Sequence, residues 1–201
     1  MNTIWRVRGK AHVIGHDVPH DGGIMPKQVV QARIVDPAQL IPHLFEDYRS
    51  GFMQDVKPGD IIVSGRNFGC GKPHTNGYIA MKALGLHLLC ESVSSIVRRA
   101  LMNLGQPCLQ PCPGISEAIA QGDDVEVDYE TGTVMNLTSG TRLQYSAMDD
   151  YTRQLIEQGG QKGLLLHWLQ THPELAEPMP PCISSTAAGP ALRAVHLLKE
   201  I

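Results

Sequence analysis

The sequence has no run of about 18 apolar residues, the length that a helix needs to cross a membrane, so we expect no membrane span. The N-terminal residues MNTIWR lack the apolar stretch of a secretory signal peptide. Basic residues form no long run and the formal net charge is -3, which argues against nucleic acid as the main partner. These absences predict a cytoplasmic protein that binds neither a membrane nor nucleic acid.

Cysteines are few, and their spacing is uninformative. No Cys-x-x-Cys pair occurs among Cys70, Cys90, Cys108, Cys112 and Cys182. An odd number of cysteines in an expected cytoplasmic protein argues against a disulfide framework. No histidine stands at zinc-finger spacing from Cys108 and Cys112. We therefore predict no metal or cofactor bound by this chain.

The middle of the chain alternates apolar strands with helical segments. Strands are predicted at 61–64, 86–90 and 107–109, with helices over 76–84 and from a cap at Ser92 to Leu104. This order implies right-handed crossovers and a parallel sheet. We also expect an opening strand over 4–14, a helix from Asp36 to about Tyr48, and closing helices at 149–158 and 161–170.

Residues 124–145 follow a different pattern. Apolar and polar residues alternate over 124–129, a turn follows at 130–132, and two more short strands follow at 133–137 and 141–145. This pattern is typical of an antiparallel meander. The predicted fold class is therefore α/β, with a parallel sheet core and an antiparallel hairpin region.

The predicted domain covers residues 1–172. From Pro173 the chain is rich in proline and then in small polar residues. We expect 173–201 to form a flexible C-terminal extension, with a linker at 173–190 and a short helix near 191–200.

The strongest local signal is the turn GRNFGCG at residues 65–71. A buried strand runs into it and a helix follows. Glycines let backbone amides approach a ligand, and a helix N-terminus attracts anions. Arg66 could hold a carboxylate with two hydrogen bonds, and Lys72 and His74 could add charge. The pattern favours a carboxylate or phosphate site, with a tight structural turn as the alternative.

Cys70 and the histidines allow further interpretations. A thiol near a helix start is a possible nucleophile, with His74, His16 or His20 as its partner, or else a small buried residue. His12, His16 and His20 are spaced by four residues, but Gly15 and Pro19 disfavour a helix there, so scattered surface histidines are the preferred interpretation over a metal site.

Several segments in order resemble the small subunit of 3-isopropylmalate dehydratase and, more distantly, the swivelling domain of aconitase. The strand entry VKPGDIIV, the turn GRNFGCG and the helix end AMKALG are followed by NLGQP, GDDVEVD, ETG and NLTSG, at residues 56–63, 65–71, 80–85, 103–107, 122–128, 130–132 and 136–140. The loop GHDVPHD at 15–21 resembles a longer form of the family's GDNIDTD.

The resemblance implies a swivelling β/β/α domain and a hydro-lyase acting on a hydroxy di- or tricarboxylic acid. It implies that the [4Fe–4S] cluster resides on a separate large subunit, over which this subunit closes. Substrate binding is then expected from the turn and the first loop, at Asp21, Arg66, Asn67, Gly69, Cys70, Gly71 and Thr75.

The resemblance fails just after the turn. The family carries S-S-R-E-H there, where its first serine is the base and its arginine holds a substrate carboxylate; this chain reads KPHTN at 72–76. Lys72 and His74 are therefore the expected catalytic residues. The substrate-selecting segment also differs, reading PKQVV at 26–30, so 3-isopropylmalate is not carried over as the substrate.

Three hypotheses follow. The first is a dehydratase small subunit that works with an iron–sulfur large subunit. The second is a non-catalytic, carboxylate-binding or regulatory homologue of the swivelling domain. The third is a free-standing thiol enzyme that uses Cys70.

Overall fold

The computed structural model describes residues 5–173, and within them seven strands form one sheet in the order β4-β3-β2-β1-β5-β6-β7. The strands are β1 (Arg6–Ile14), β2 (Ile61–Ser64), β3 (His87–Cys90), β4 (Cys108–Leu109), β5 (Asp124–Asp128), β6 (Thr133–Asn136) and β7 (Arg142–Gln144). β1 stands between a parallel half and an antiparallel half. The predicted fold class is confirmed.

The parallel half, β1 to β4, is covered on both faces. Ile62 and Leu88 point into one apolar core, whereas Ile61, Val63 and Leu89 point into the other. Strands with two buried faces read as continuous apolar runs. This explains why β2 and β3 have no polar alternation in the sequence.

The antiparallel half pairs β1 with β5, β5 with β6, and β6 with β7. On β5, Val125 and Val127 are buried, whereas Glu126 points outward and forms an ion pair with Arg6 (2.6 Å). This half has one solvated face. The alternation seen in the sequence over 124–129 is thereby confirmed.

The helices pack against the sheet or follow it. They are α1 (Lys27–Gln31), α2 (Pro37–Leu40) with a 3-10 turn (Ile41–His43), α3 (Phe52–Asp55), α4 (Asn76–Ala83), α5 (Ser95–Leu104), α6 (Ile115–Ala118), α7 (Asp150–Glu157) and α8 (Gln161–Thr171). The two closing helices stand where the sequence predicts them.

Two helix predictions are wrong in their limits. The helix expected to reach Tyr48 ends at Leu40, since Pro42 interrupts it and Phe45 adopts a φ of 57° while its N–H donates to the carbonyl of Ile24 (2.9 Å). The cap of α5 is Ser94 rather than Ser92.

The chain divides into two compact units, Met1–His167 and Trp168–Ile201. The sheet lies in the first unit; of the second, only 168–173 are described. The predicted linker, apart from Pro173, and the predicted helix near 191–200 lie outside the described residues, and the boundary predicted after residue 172 stays a prediction. Within 5–173, every helix is too short or too polar to cross a membrane.

Candidate active site

The loops that follow β1 and β2 lie side by side. Because these strands are parallel neighbours, their carboxyl ends meet at one edge of the sheet. The N–H of Gly69 donates to the carbonyl of Val18 (2.8 Å), and the N–H of His20 donates to the carbonyl of Cys70 (3.0 Å). The first loop and the glycine-rich turn are therefore one hydrogen-bonded unit.

In the turn, the amides of residues 65–70 all donate within the chain. Their acceptors are the Gly15 carbonyl, His16 Nδ1, Ser92 Oγ, the Ser92 carbonyl, the Val18 carbonyl and the Asn67 carbonyl, at distances of 2.8 to 3.3 Å. These amides do not face a ligand. Among the described residues, the amides of Gly71 and Lys72 have no such acceptor.

Gly69 is glycine for structural reasons. Its φ is +74°, and a Cβ built there would lie 2.1 Å from the hydroxyl of the buried Tyr78. By contrast, Gly71 has a φ of +91° and open space on its side-chain side. The turn is therefore packed tightly at its start and open at its end.

A cleft of about 870 Å³ adjoins the open end of the turn. Its lining contains six of the predicted site residues: Asp21, Cys70, Gly71, Lys72, His74 and Thr75. Arg66, Asn67 and Gly69 are not part of this lining. Asn67 instead donates from Nδ2 to Asp17 Oδ1 (2.6 Å). The roles of all the predicted site residues, inside and outside this lining, stay predictions.

Two histidines share one carboxylate oxygen at the cleft. Asp21 Oδ1 lies 2.9 Å from Nδ1 of His20 and 2.7 Å from Nδ1 of His74. His20 is fully buried, and its Nε2 accepts the N–H of Gly77 (3.2 Å). The side chain of His74 is 38% exposed. The group therefore connects a helix start to the cleft surface.

The surroundings fix the charge of the two inner members. Burial lowers the pKa of His20 more than the neighbouring Asp21 raises it, so the ring is held neutral. Partial burial on its own would raise the pKa of Asp21, but hydrogen bonds from His74 and His20 outweigh it and lower that pKa. At neutral pH Asp21 is therefore a carboxylate.

The chain is 34% identical to the 3-isopropylmalate dehydratase small subunit of Thermodesulfovibrio yellowstonii over 164 residues, 81% of this chain and 93% of the relative. It is 33% identical to the isopropylmalate/citramalate isomerase small subunit of Methanocaldococcus jannaschii over 155 residues, 77% and 90% of the two chains. No protein-family model matches the sequence.

A solved structure agrees. The 3-isopropylmalate dehydratase LeuD of Methanocaldococcus jannaschii superposes with a TM-score of 0.75 at 26% identity, covering 85% of this chain and 99% of that one. The chain belongs to the family of 3-isopropylmalate dehydratase small subunits. It is therefore a small subunit of an aconitase-type hydro-lyase, and the relatives' names imply a large-subunit partner.

Cys70 of this small subunit is tied to the loop scaffold. Its Sγ donates to the carbonyl of Asp17 (3.4 Å), and its backbone pairs with Pro19. In the cleft, His20 and His74 are hydrogen-bonded to Asp21, and no described histidine is hydrogen-bonded to Cys70. The geometry gives no support to the thiol-enzyme hypothesis.

Sequence reasoning missed Arg33, named Lys27 only within the altered segment 26–30, and gave His20 no role beside Asp21. Lys27 and Arg33, at either end of the α1 segment, line the cleft and add two cations to that of Lys72. The sequence suggested His20 as a partner for Cys70 or as one of several scattered surface histidines, and the second interpretation is wrong because His20 is fully buried. Its position next to Asp21, in a loop after a parallel strand, was the available signal for a buried histidine–carboxylate pair.

Proposed function

We propose that this small subunit joins a large subunit to form a hydro-lyase that dehydrates and rehydrates a hydroxy di- or tricarboxylic acid. The observation that carries the proposal is the cleft, whose lining includes Lys72 and His74. The sequence resemblance implies that these two residues replace the family's serine and arginine. Relatives named for isopropylmalate and citramalate support substrates of this class.

The charges of the cleft fit a substrate with more than one carboxylate. Lys27, Arg33 and Lys72 supply three cations. Asp21 is the one carboxylate among the described lining residues, and both histidines are bonded to it. Cations that a partner does not neutralise attract anions into a cleft. A monocarboxylate would leave most of this charge unmatched.

The reaction requires a base beside the carbon that loses its proton. Lys72 and His74 are the candidates, since both line the cleft. By the sequence resemblance, Lys72 stands where the family carries its serine and His74 where it carries its arginine. The proton moves to the base, the electron pair of the broken C–H bond forms the new double bond, and the hydroxyl leaves with the electron pair of the C–O bond. When bound to the large subunit, the [4Fe–4S] cluster supplies the Lewis acid for the departing hydroxyl.

Support for a cluster on the partner comes from the cysteines of this chain. Cluster ligands are thiolates. Cys90 and Cys112 are completely buried, and burial raises the pKa of both thiols, so they keep their protons. Cys70 donates to a backbone carbonyl. Cys108 is partly exposed and lies beside the buried Cys90, and no three of the described cysteines are grouped as metal ligands.

The test is co-expression with a candidate large subunit, followed by an assay for alkene absorbance with a panel of hydroxy acids. We expect turnover of at least one di- or tricarboxylic acid, and a loss of roughly 10²-fold or more in kcat for His74→Ala. The control is His43→Ala, which removes an exposed histidine bonded to Glu46. Absence of a complex and of turnover with every acid would contradict the proposal.

A non-catalytic, carboxylate-binding role is the second candidate. It is favoured by the replacement of both family serines, by Lys72 and Pro73. Calorimetry of the chain with dicarboxylates distinguishes it. Binding that Lys72→Ala weakens, without turnover in any complex, would support this alternative.

A further inference from the structure

A continuous chain of hydrogen bonds leads from the start of α4 to the cleft. The N–H of Gly77 donates to Nε2 of His20, Nδ1–H of His20 donates to Asp21 Oδ1, and Nδ1–H of His74 donates to the same oxygen. Each neutral histidine ring carries one proton. The backbone N–H of Gly77 therefore decides on which nitrogen the His20 proton resides.

The same contacts argue against a metal ion at this cluster, although its ligand atoms lie within 4.8 Å of one another. A metal on Nδ1 of His20 would displace the only proton of that ring, because Nε2 already accepts from Gly77. The product would be a buried imidazolate, which burial disfavours. A proton-bearing histidine pair fits the geometry better.

The outer end of the chain is the reactive one. His74 uses Nδ1 for Asp21, and its Nε2 has no partner among the described residues. The N–H of His74 also donates to the carbonyl of Lys72 (2.9 Å), which fixes the backbone between the two candidate bases. The ammonium of Lys72 is exposed in the same cleft.

We propose that Asp21 and His20 are positioning residues that hold the proton of His74 on Nδ1, so that Nε2 of His74 is the base and Lys72 binds a substrate carboxylate. The inference rests on the proposed hydro-lyase function. In dehydration, Nε2 takes the proton from carbon, the C–H electron pair forms the C=C bond, and the C–O bond breaks with its electron pair on the departing hydroxide. The hydroxide becomes water when it takes the proton back from Nε2. The imidazolium that results is paired with the Asp21 carboxylate.

The first test needs only the purified chain. In the ¹⁵N-labelled full chain, two-bond ¹H–¹⁵N spectra should show the neutral Nδ1–H form for both His20 and His74. Asp21→Asn should shift His74 toward the Nε2–H form, whereas Glu46→Gln, at the exposed His43 pair (2.6 Å), should leave His74 unchanged. A His74 ring already in the Nε2–H form would overturn the inference. So would loss of both Nδ1 protons on addition of Zn²⁺ alone.

The second test uses the assembled enzyme. Asp21→Asn should lower kcat by about 10² to 10⁴-fold, the range for general-base catalysis that depends on one tautomer, with KM within about twofold of wild type. An unchanged kcat would overturn the inference. Spectra as expected without any turnover would sink the proposed function and leave the histidine geometry standing. Turnover by the wild-type enzyme, with a kcat that Asp21→Asn leaves unchanged, would support the proposed function and overturn the positioning role of Asp21 and His20.

Discussion

The glycine-rich turn and the residues after it divide into a closed part, 65–70, and an open part, 71–75, which differ in hydrogen bonding and exposure. Residues 65–70 donate every amide to their own chain, and Gly69 packs against Tyr78. Residues 71–75 all line the cleft, and each is exposed except His74, which is partly exposed. The closed part therefore joins the two loops, and the open part faces the cleft.

The GRNFGCG motif at 65–71 and the segment 72–74 have different structural roles in this chain. The GRNFGCG motif fixes how the loops after β1 and β2 join, because its carbonyls and amides bond to the first loop. The KPH segment that follows, 72–74, makes few such bonds and is free to carry different chemistry. Substitutions at 72–74 can therefore change the side chains that line the cleft while the bonds between the two loops remain.

The largest effect is expected for alanine at Gly69. The change strains a left-handed residue and pushes a methyl group into the hydroxyl of Tyr78. We expect a loss of about 3 kcal/mol in the free energy of unfolding, from backbone strain plus overpacking. Urea unfolding of the purified chain measures it.

Gly71→Ala is the matched control, because Gly71 also has a positive φ but meets no atom within 4 Å. It should lose only the strain contribution, about 1 kcal/mol. Equal losses for the two variants would show that the start of the turn is no more tightly packed than its end.

The fold was accessible from sequence because its signals are local. The apolar runs of β2 and β3 and the alternation of β5 each reflect which faces are buried. The errors arose where tertiary contacts decide. Ser92 and Ser94 both suit a helix cap, but Ser92 Oγ accepts the N–H of Asn67, which leaves Ser94 to cap α5.

The site was only partly accessible. Lys72, His74 and Asp21 were found because they follow strands or match family positions. The sequence could not show that the amides of 65–70 already donate within the chain, because their acceptors include His16 and Ser92, which are distant in sequence. Spacing along the chain likewise carries no information about the shared oxygen of Asp21.

A smaller effect is expected for charge removal in the open part. Lys72→Met should raise KM for a dicarboxylate roughly tenfold while kcat stays within about twofold, as for a lost ground-state contact. Steady-state kinetics of the assembled enzyme measure both constants. Arg66→Met removes the same charge from the closed part, outside the cleft, and should raise KM less. An equal or larger rise in KM would indicate that Arg66 also binds the substrate.

The smallest effect concerns Tyr78, whose buried hydroxyl has no hydrogen-bond partner among the described residues. Tyr78→Phe should change the free energy of unfolding by less than about 1 kcal/mol, toward greater stability, since an unsatisfied buried group is removed. Tyr129→Phe is the control: that hydroxyl lies 3.3 Å from Nδ1 of His87, and its loss should cost about 1 kcal/mol.

Removal of the Tyr78 hydroxyl also tests whether this oxygen crowds a side chain at Gly69. If contact with this oxygen is what excludes a side chain at Gly69, the two substitutions must be coupled. Gly69→Ala should then cost about 1 kcal/mol less in the Tyr78→Phe background than alone, because the crowding is relieved and the backbone strain remains. Strict additivity in urea unfolding would mean that contact with the Tyr78 hydroxyl does not contribute to the cost of a side chain at Gly69.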